Sequence, residues 1–126
     1  MSFATFLIAP TDTDLTRLAA TTRAADTGEA GKIGLPGGKV DAGETDKQAV
    51  IRESAEEGWN VPADANLTLC HVDIVDGKQV SWFLCDKPVS KLANYKEKHR
   101  ITPISATVNQ VANSGYGNSF ISDIIT

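Results

Sequence analysis

The sequence predicts a single α+β domain in which strand-like and helical segments alternate. Three observations carry this prediction: an apolar strand-like run at residues 2–9 that Pro10 ends, a T-x-x-Q capping box that begins a helix at Thr45, and an Asp76-Gly77 turn between two further strand-like runs. Residues 1–126 contain no repeat, low-complexity tract or linker. We therefore expect one domain with its own core.

The first half of the chain contains strands and loops ahead of its helix. TDTD at residues 11–14 is typical of a turn. The segment LTRLAATTRAAD at 15–26 is ambiguous, because its alanines favour a helix whereas its adjacent threonines allow a short strand. DTGEAG at 26–31 indicates a loop, and KIGLPGG at 32–38 should be extended, since the residue before proline avoids the helical region. The capped helix should run from Thr45 to about Glu57.

A hairpin is predicted for residues 66–85, with Asp76 and Gly77 as its two-residue turn. Counting back from the turn gives the pairs Val75–Lys78, Cys70–Phe83 and Thr68–Cys85. The two cysteines of the chain are then diagonal neighbours, about 7–8 Å apart and beyond comfortable disulfide reach. We therefore predict two reduced cysteines that pack in the core beside Val72 and Ile74.

The last segments alternate in the same way. Residues 86–100 read as a basic loop or a short helix, and ITPI at 101–104 as another strand. SATVNQVANSG at 105–115 is predicted to be helical, with Gly115 beyond its end, and NSFISDIIT at 118–126 to be a short apolar closing segment.

Composition limits the partners. The net charge is -4 and the sequence pI about 5.0, which argues against broad nucleic-acid binding or binding to anionic membranes. No apolar run approaches the ~20 residues that span a bilayer, and the apolar start lacks the basic residues of a signal peptide. We expect a cytoplasmic protein. A small anionic substrate stays open, because a bound cation can reverse the local field.

Acidic residues crowd into GGKVDAGETDKQAVIRESAEEGW at residues 37–59, which holds six of the chain's 16: Asp41, Glu44, Asp46, Glu53, Glu56 and Glu57. On a helix, the last three project from one face, where like charges repel one another and the helix dipole disfavours anions. Glutamate-rich helix faces are most often solvated surfaces. An oxygen-rich cluster is equally what a hard cation such as Mg²⁺ needs, and Arg52 could tie down one or two of the carboxylates.

The full spacing decides between these readings. The pattern begins at Gly38 and continues, after five residues, with Glu44; seven residues later come Arg52-Glu53 and, after two more, Glu56-Glu57. It resembles the signature of the Nudix hydrolase family, G-x5-E-x7-R-E-U-x-E-E-x-G-U, where U is bulky and apolar. The resemblance implies an α/β/α sandwich with a mixed β-sheet and a loop-helix-loop catalytic motif. It would also make RLAATTR at 17–23 a strand.

Two positions depart from that signature. Ser54 occupies a slot for a bulky apolar residue, which should weaken the packing beneath the helix. The glycine expected two residues after Glu57 comes one position early, as Gly58. We therefore expect the helix to close sooner, with Trp59 or Val61 supplying the apolar contact.

The resemblance also implies a function: hydrolysis, with Mg²⁺ or Mn²⁺, of a nucleoside diphosphate linked to another group. Nucleoside or deoxynucleoside triphosphates are the favoured substrates. The alternatives are dinucleoside polyphosphates, ADP-ribose, or a nucleotide-binding regulator without turnover; a homodimer is plausible by family analogy. By position, the implied metal ligands are the Gly37 carbonyl, Glu53, Glu56 and Glu57, and the implied catalytic set is Glu53, Glu56, Arg52 and Glu44.

Several residues are weaker candidates for substrate contacts or for the general base. Glu53 is the candidate base within the signature and Glu97 the one outside it. Each of the others also has a structural explanation, either solvent exposure, core packing or turn capping. These candidates are Arg23, Lys39, His71, Trp82, Glu97 and Asn118.

Overall fold

A computed structural model describes residues 2–11, 16–23, 32–113 and 120–125, which form nine strands and three helices instead of a regular alternation of the two. The strands are β1 (Ala4–Ile8), β2 (Arg17–Arg23), β3 (Ile33–Gly34), β4 (Gly37–Lys39), β5 (Trp59–Asn60), β6 (Leu67–Val75), β7 (Lys78–Cys85), β8 (Ser90–Lys91) and β9 (Ile101–Thr107). The helices are α1 (Asp46–Glu56), α2 (Val108–Ala112) and α3 (Ile121–Ile125). The predicted loop at 26–31 lies outside the described residues, as does most of the predicted turn at 11–14.

The strands assemble into two main sheets. The larger is mixed and has the order β4-β1-β7-β6; its β1–β7 pair is parallel and its other pairs are antiparallel. The smaller is antiparallel and has the order β3-β2-β9, while β5 and β8 form a short ribbon. Helix α1 packs against β1 and β4, and α2 packs against β2 and β9. The predicted α+β sandwich is confirmed.

Two buried clusters hold these layers together. The first lies beneath α1 and includes Leu7, Val50, Trp59 and Phe83. The second joins the two sheets to α2 and α3, and its members include Ile8, Leu18, Trp82, Val111 and Ile121. Because Leu7 and Ile8 point to opposite faces of β1, this strand is apolar on both faces, as expected for a strand in the interior of a covered sheet. Among the described residues, no helix has the length and apolar content that crossing a membrane requires.

The ambiguous segment at 17–23 is strand β2, as the family resemblance implied. It pairs with β9 along its whole length, from Arg17 opposite Thr107 to Arg23 opposite Ile101. Ala19 and Ala20 are completely buried and belong to different clusters, one on each side of the strand. Tertiary pairing therefore overrides the helical preference of the alanines.

Helix α1 begins as predicted. The Thr45 hydroxyl accepts a hydrogen bond from the Gln48 amide at 3.1 Å, and the Gln48 side chain accepts one from the Thr45 amide at 2.9 Å. This reciprocal pair satisfies two amides that the first turn of a helix leaves without partners. The helix ends at Glu56, one residue before the predicted end.

The early glycine explains the helix exit. Gly58 has a φ of +100°, and a Cβ there would lie 2.8 Å from a ring carbon of Pro103. Both the left-handed backbone and the close approach to β9 favour glycine at this position. Trp59 follows, is buried, and donates its indole N–H to the Ala20 carbonyl at 2.9 Å. The expected early closure is thus confirmed, with Trp59 as the apolar contact.

The hairpin register departs from the prediction. Val75 does face Lys78, but a bulge between Leu69 and His71 leaves Cys70 outside the ladder. The predicted pairs Cys70–Phe83 and Thr68–Cys85 are therefore wrong; the observed pairs are Leu69–Phe83, Thr68–Leu84 and Leu67–Cys85. Counting from the turn assumed a regular ladder, and a bulge shifts every later pair by one residue.

The cysteines are both free, as predicted; Cys85 is buried and Cys70 half-buried. The expectation that Val72 and Ile74 share the core is wrong, because these residues are 44% and 62% exposed. Strand β6 forms the edge of the larger sheet, whereas α1 lies over β1 and β4, so this part of the hairpin is uncovered.

The prediction for residues 105–115 is partly wrong. Residues 105–107 continue β9, since Ser105 pairs with Ala19 and Thr107 with Arg17. Within the described part of this segment, residues 105–113, the helix comprises only Val108–Ala112. Of the two alternatives for residues 86–100, the loop is correct, with β8 as its short strand. The apolar closing segment forms α3 over Ile121–Ile125, and Gly115 lies outside the described residues.

Ser54 is fully buried on the inner face of α1, and its hydroxyl has no hydrogen-bond partner among the residues that the structure describes. A buried polar group without a partner destabilises the native state. We expect Ser54→Ala to raise the free energy of unfolding by about 1 kcal/mol, since it removes that group and increases helix propensity. Urea denaturation measures the change.

Ser81→Ala provides the matched control. Ser81 is equally buried, but its hydroxyl is hydrogen-bonded to the Ser2 hydroxyl, so its removal should lower the free energy of unfolding by about 1 kcal/mol. Equal destabilisation by both substitutions would contradict this account of Ser54.

Candidate active site

The glycine pair of β4 lies against the acidic face of α1. The Gly37 amide donates a hydrogen bond to Glu57 Oε1 at 2.9 Å, and Glu57 is buried. At Gly38, a Cβ would lie 2.6 Å from Glu53 Oε2. Glycine at both positions thus allows the strand to approach the carboxylates directly.

Arg52 organises the outer part of the same face. Its Nε and Nη2 bind the two oxygens of Glu44 at 2.7 and 3.0 Å, and its Nη1 binds Glu56 at 2.7 Å and Glu53 at 3.1 Å. Nη2 also donates to the Lys39 carbonyl at 3.1 Å, which ties α1 to β4. The hydrogen bond from Arg52 lowers the pKa of Glu44, and the hydrogen bonds that Arg52 donates to Glu44 and Glu56 raise the pKa of Arg52.

The carboxylates of Glu53 and Glu57, next to the glycine pair, have pKa values that are raised instead of lowered. Burial raises the pKa of Glu57 to about 8, although the Gly37 amide opposes this shift. Burial also raises the pKa of Glu53, against the hydrogen bond from Arg52. The two groups that adjoin the glycine pair are therefore carboxylates whose charged form burial disfavours, which is where a bound cation stabilises most.

These residues fit a hard divalent cation chemically. Glu53, Glu56 and Glu57 offer only oxygen donors, the kind that Mg²⁺ and Mn²⁺ prefer. Within the described ranges, no three acidic, histidine or cysteine side chains already stand in a metal-binding arrangement. The contacts explain why, since Arg52 engages Glu53 and Glu56 while Glu57 faces the Gly37 amide.

A cleft of about 620 Å³, including its open mouth, extends from Gly37 and Glu57 between the two main sheets. Two of the predicted substrate residues, Arg23 and Trp82, line it together with Gly37 and Glu57. Sequence reasoning missed the remaining lining residues, which are Phe6, Thr21, Lys32, Gly34 and Leu35. The ring centroids of Phe6 and Trp82 lie 5.9 Å apart, because the parallel pairing of β1 and β7 sets the two residues side by side on the larger sheet.

The cleft therefore combines three chemical features. Arg23 and Lys32 supply positive charge, Glu57 supplies a buried carboxylate, and Phe6 with Trp82 supplies an apolar aromatic surface. Polyphosphate attached to a flat ring system has the complementary features, because its anionic and apolar parts are separate.

Lys39 and His71 lie outside the cleft lining. The Lys39 ammonium is 5.5 Å from the Phe3 ring centroid, and Lys39 does not line the cleft. His71 stacks on Phe120 at 3.8 Å and meets Trp82 edge-on at 5.2 Å, also outside the cleft lining. Asn118 lies outside the described residues.

Glu97 is brought to the end of α1. Its amide donates to the Glu56 carbonyl at 2.8 Å, and its own side chain is about a third exposed, at 30%. Its charge also contributes to raising the pKa of Glu57, after the larger effects of burial and of Glu53. The four glutamates Glu53, Glu56, Glu57 and Glu97 thus meet around the C-terminal end of one helix.

Comparison with known proteins gives a family. The model of the NUDIX domain matches residues 1–105. A 47-residue segment is 57% identical to an 8-oxo-dGTP diphosphatase of Escherichia coli (strain K12), covering 37% of this chain and 36% of that protein. The matched segment thus spans about a third of that relative's length.

Solved structures share the fold. A MutT structure from work on Aliivibrio salmonicida and Vibrio cholerae superposes with a TM-score of 0.72 at 20% identity, over 98% of this chain and 96% of the other. The MutT NUDIX hydrolase of Burkholderia pseudomallei gives 0.68 at 23% identity, over 99% and 98%. The E. coli dihydroneopterin triphosphate pyrophosphohydrolase gives 0.70 at 18%, over 97% and 93%. The family model covers most of the chain, and the glycine, arginine and glutamates of its signature lie together where α1 meets β4. This protein belongs to the NUDIX family of hydrolases.

Proposed function

We propose that the protein is a divalent-metal-dependent pyrophosphohydrolase of nucleoside or deoxynucleoside triphosphates. The observation that carries the proposal is the single cleft in which Glu57 and Gly37 adjoin two cationic side chains and an aromatic surface. A 47-residue segment of this chain is 57% identical to an 8-oxo-dGTP diphosphatase, so a triphosphate with an oxidised purine base is the first substrate to test.

The protein's own residues divide the work. Glu53, Glu56 and Glu57, with the Gly37 carbonyl, would hold Mg²⁺ or Mn²⁺. When bound, the cation neutralises phosphate charge and lowers the pKa of water, so that hydroxide forms more readily. Arg23 and Lys32 bind and orient the phosphates, and Phe6 and Trp82 provide the surface against which the base packs.

Two further roles concern charge and protons. Arg52 and Glu44 fix the outer face of α1, because their bidentate contact and the Lys39 carbonyl anchor the helix to β4. The attacking water must lose a proton to a carboxylate within hydrogen-bond reach. Glu53, beside Gly38, and Glu97, at the helix end, are the two candidates for that acceptor.

A nucleotide panel tests the proposal. The purified protein is incubated with 8-oxo-dGTP, the four ordinary deoxynucleoside triphosphates, ADP-ribose and diadenosine tetraphosphate, and products are separated by ion-exchange chromatography. We expect a nucleoside monophosphate and pyrophosphate from at least one triphosphate. EDTA should abolish the reaction, and added Mg²⁺ or Mn²⁺ should restore it.

The same panel separates the alternatives. Preferential cleavage of ADP-ribose or diadenosine tetraphosphate would replace the triphosphate proposal with one of those hydrolases. Nucleotide binding without turnover of any compound, under conditions in which the protein is folded and Mg²⁺ is present, would identify a nucleotide-binding regulator and overturn the catalytic proposal.

A further inference from the structure

Residues 92–100 cross the C-terminal end of α1, and we call this segment the strap. The Leu92 amide donates to the Gly58 carbonyl at 2.8 Å, and the Glu97 amide donates to the Glu56 carbonyl at 2.8 Å. The last carbonyls of a helix have no partner within the helix. The strap supplies such a partner to the Glu56 carbonyl, next to the acidic face, and a second hydrogen bond just beyond the helix end at Gly58.

The far end of the strap is fixed to β9. The Glu97 carbonyl accepts hydrogen bonds from the Arg100 amide at 2.9 Å and the Ile101 amide at 2.8 Å. Ile101 is buried and begins β9, where it pairs with Arg23 of β2. Glu97 is therefore held through its amide by α1 and through its carbonyl by the first residue of β9.

One side chain closes this arrangement. Tyr95 is half-buried, and its hydroxyl donates to the Ile101 carbonyl at 2.9 Å. This bond joins the part of the strap before Glu97 to the strand that follows it. Without the hydroxyl, the turn around Glu97 keeps its backbone bonds but loses the cross-link between its two ends.

The strap also reaches the acidic cluster directly. Lys96 lies between Tyr95 and Glu97, and its ammonium is 3.6 Å from Glu56 Oε1. The position of the strap thus controls two charged groups at the helix end, the Lys96 ammonium and the Glu97 carboxylate. A shift of about 1 Å at an active site is enough to reduce catalysis substantially.

We propose that Tyr95 is a positioning residue: its hydroxyl fixes the strap to β9 and so sets the place of the Glu97 carboxylate beside the glutamates of α1. The inference rests on the proposed hydrolase function, in which Glu97 is a candidate proton acceptor. Tyr95 itself has no role in the chemical step.

A double-mutant cycle tests this role with Tyr95→Phe, Glu97→Gln and the double variant, using the best nucleotide substrate and saturating Mg²⁺. Tyr95→Phe retains the ring and removes the hydroxyl. We expect it to lower kcat about fivefold, the shift that one ordinary hydrogen bond produces, and to leave KM within about twofold. In the Glu97→Gln background the same change should have no further effect, because the positioned group is already lost.

Asn94→Ala is the matched control within the strap. The Asn94 side chain is exposed and accepts a hydrogen bond from the Lys98 ammonium at 3.3 Å, so its loss leaves the link to β9 intact. Its kcat should equal that of the wild type. Hydrogen exchange gives a second measurement, with faster exchange of the Glu97 and Ile101 amides in Tyr95→Phe than in Asn94→Ala.

Three results would overturn the proposal: an unchanged kcat in Tyr95→Phe, unchanged exchange at those amides, or a Tyr95→Phe effect that persists undiminished in the Glu97→Gln background. If the wild type hydrolyses the nucleotide in any of these cases, the proposed hydrolase function is unaffected. A wild type without turnover refutes the hydrolase function instead, and the exchange measurement still tests the cross-link by itself.

Discussion

Glu57→Gln is expected to lower kcat for nucleotide hydrolysis by about a thousandfold at saturating Mg²⁺. The substitution keeps the size of the side chain and an oxygen that accepts from the Gly37 amide, which is 2.9 Å from Glu57 Oε1. It removes the negative charge that would hold the cation, and a bound cation contributes several kcal/mol to stabilising charge in the transition state. Steady-state kinetics on the substrate chosen from the panel measures the change.

The fold should survive this substitution, so the loss is attributable to chemistry. A buried amide is easier to accommodate than a buried carboxylate whose charge burial disfavours, and thermal unfolding should occur at or above the wild-type temperature. Asp64→Asn is the matched control, because Asp64 is an exposed carboxylate paired with Lys87 and does not line the cleft. An active Glu57→Gln enzyme would refute the assignment of Glu57 as a metal ligand.

Gly37→Ala should cause the largest loss of stability among single substitutions at the site, more than about 4 kcal/mol in the free energy of unfolding. A Cβ at this position would lie 2.1 Å from the Thr5 carbonyl oxygen and 2.8 Å from the Phe6 Cα. These are backbone atoms of the strand paired with β4, so relief requires β4 to move away from β1. Urea denaturation of the variant, or its failure to accumulate as folded protein, is the measurement.

Gly38→Ala distinguishes packing from site geometry. The atoms in the way there belong to the Glu53 carboxylate, at 2.6 and 2.7 Å, and the end of a glutamate side chain can rotate aside. We expect a folded protein whose kcat falls about 10- to 100-fold because Glu53 is displaced. If Gly37→Ala is as stable as the wild type, the close approach of β4 to the backbone of β1 at Thr5 does not limit this position.

Features of the fold that depend on adjacent residues were predictable. Thr45 and Gln48 satisfy one another across a single turn, and Asp76-Gly77 provides the backbone of a tight hairpin, so the sequence alone places both. Strand β2 could not be assigned from its own residues, because its pairing with β9 decides against the alanines. The bulge at Cys70 has no signal that counting from the turn could detect.

The candidate site divides in the same way. Arg52 shares helix α1 with Glu53 and Glu56, so the spacing alone brings these three together, as the contacts of Arg52 show. The cleft depends on the parallel β1–β7 pair, which sets Phe6 beside Trp82. It also depends on the second sheet, which contributes Thr21, Arg23 and Gly34 to the lining. The spacing of the signature contains no information about either. The spacing also does not show that the Lys39 ammonium lies 5.5 Å from the Phe3 ring centroid, outside the cleft lining.

The parallel pairing of β1 and β7 has a consequence for the synthesis of the chain. Thr5 lies opposite Ser81, so the partner of β1 is made 76 residues later. At ribosomal rates this interval is roughly 4 to 15 s. During this interval β1, which is apolar on both faces, has been synthesised but has no parallel neighbour. Until β7 has been synthesised, β1 must therefore avoid pairing with strands of other chains.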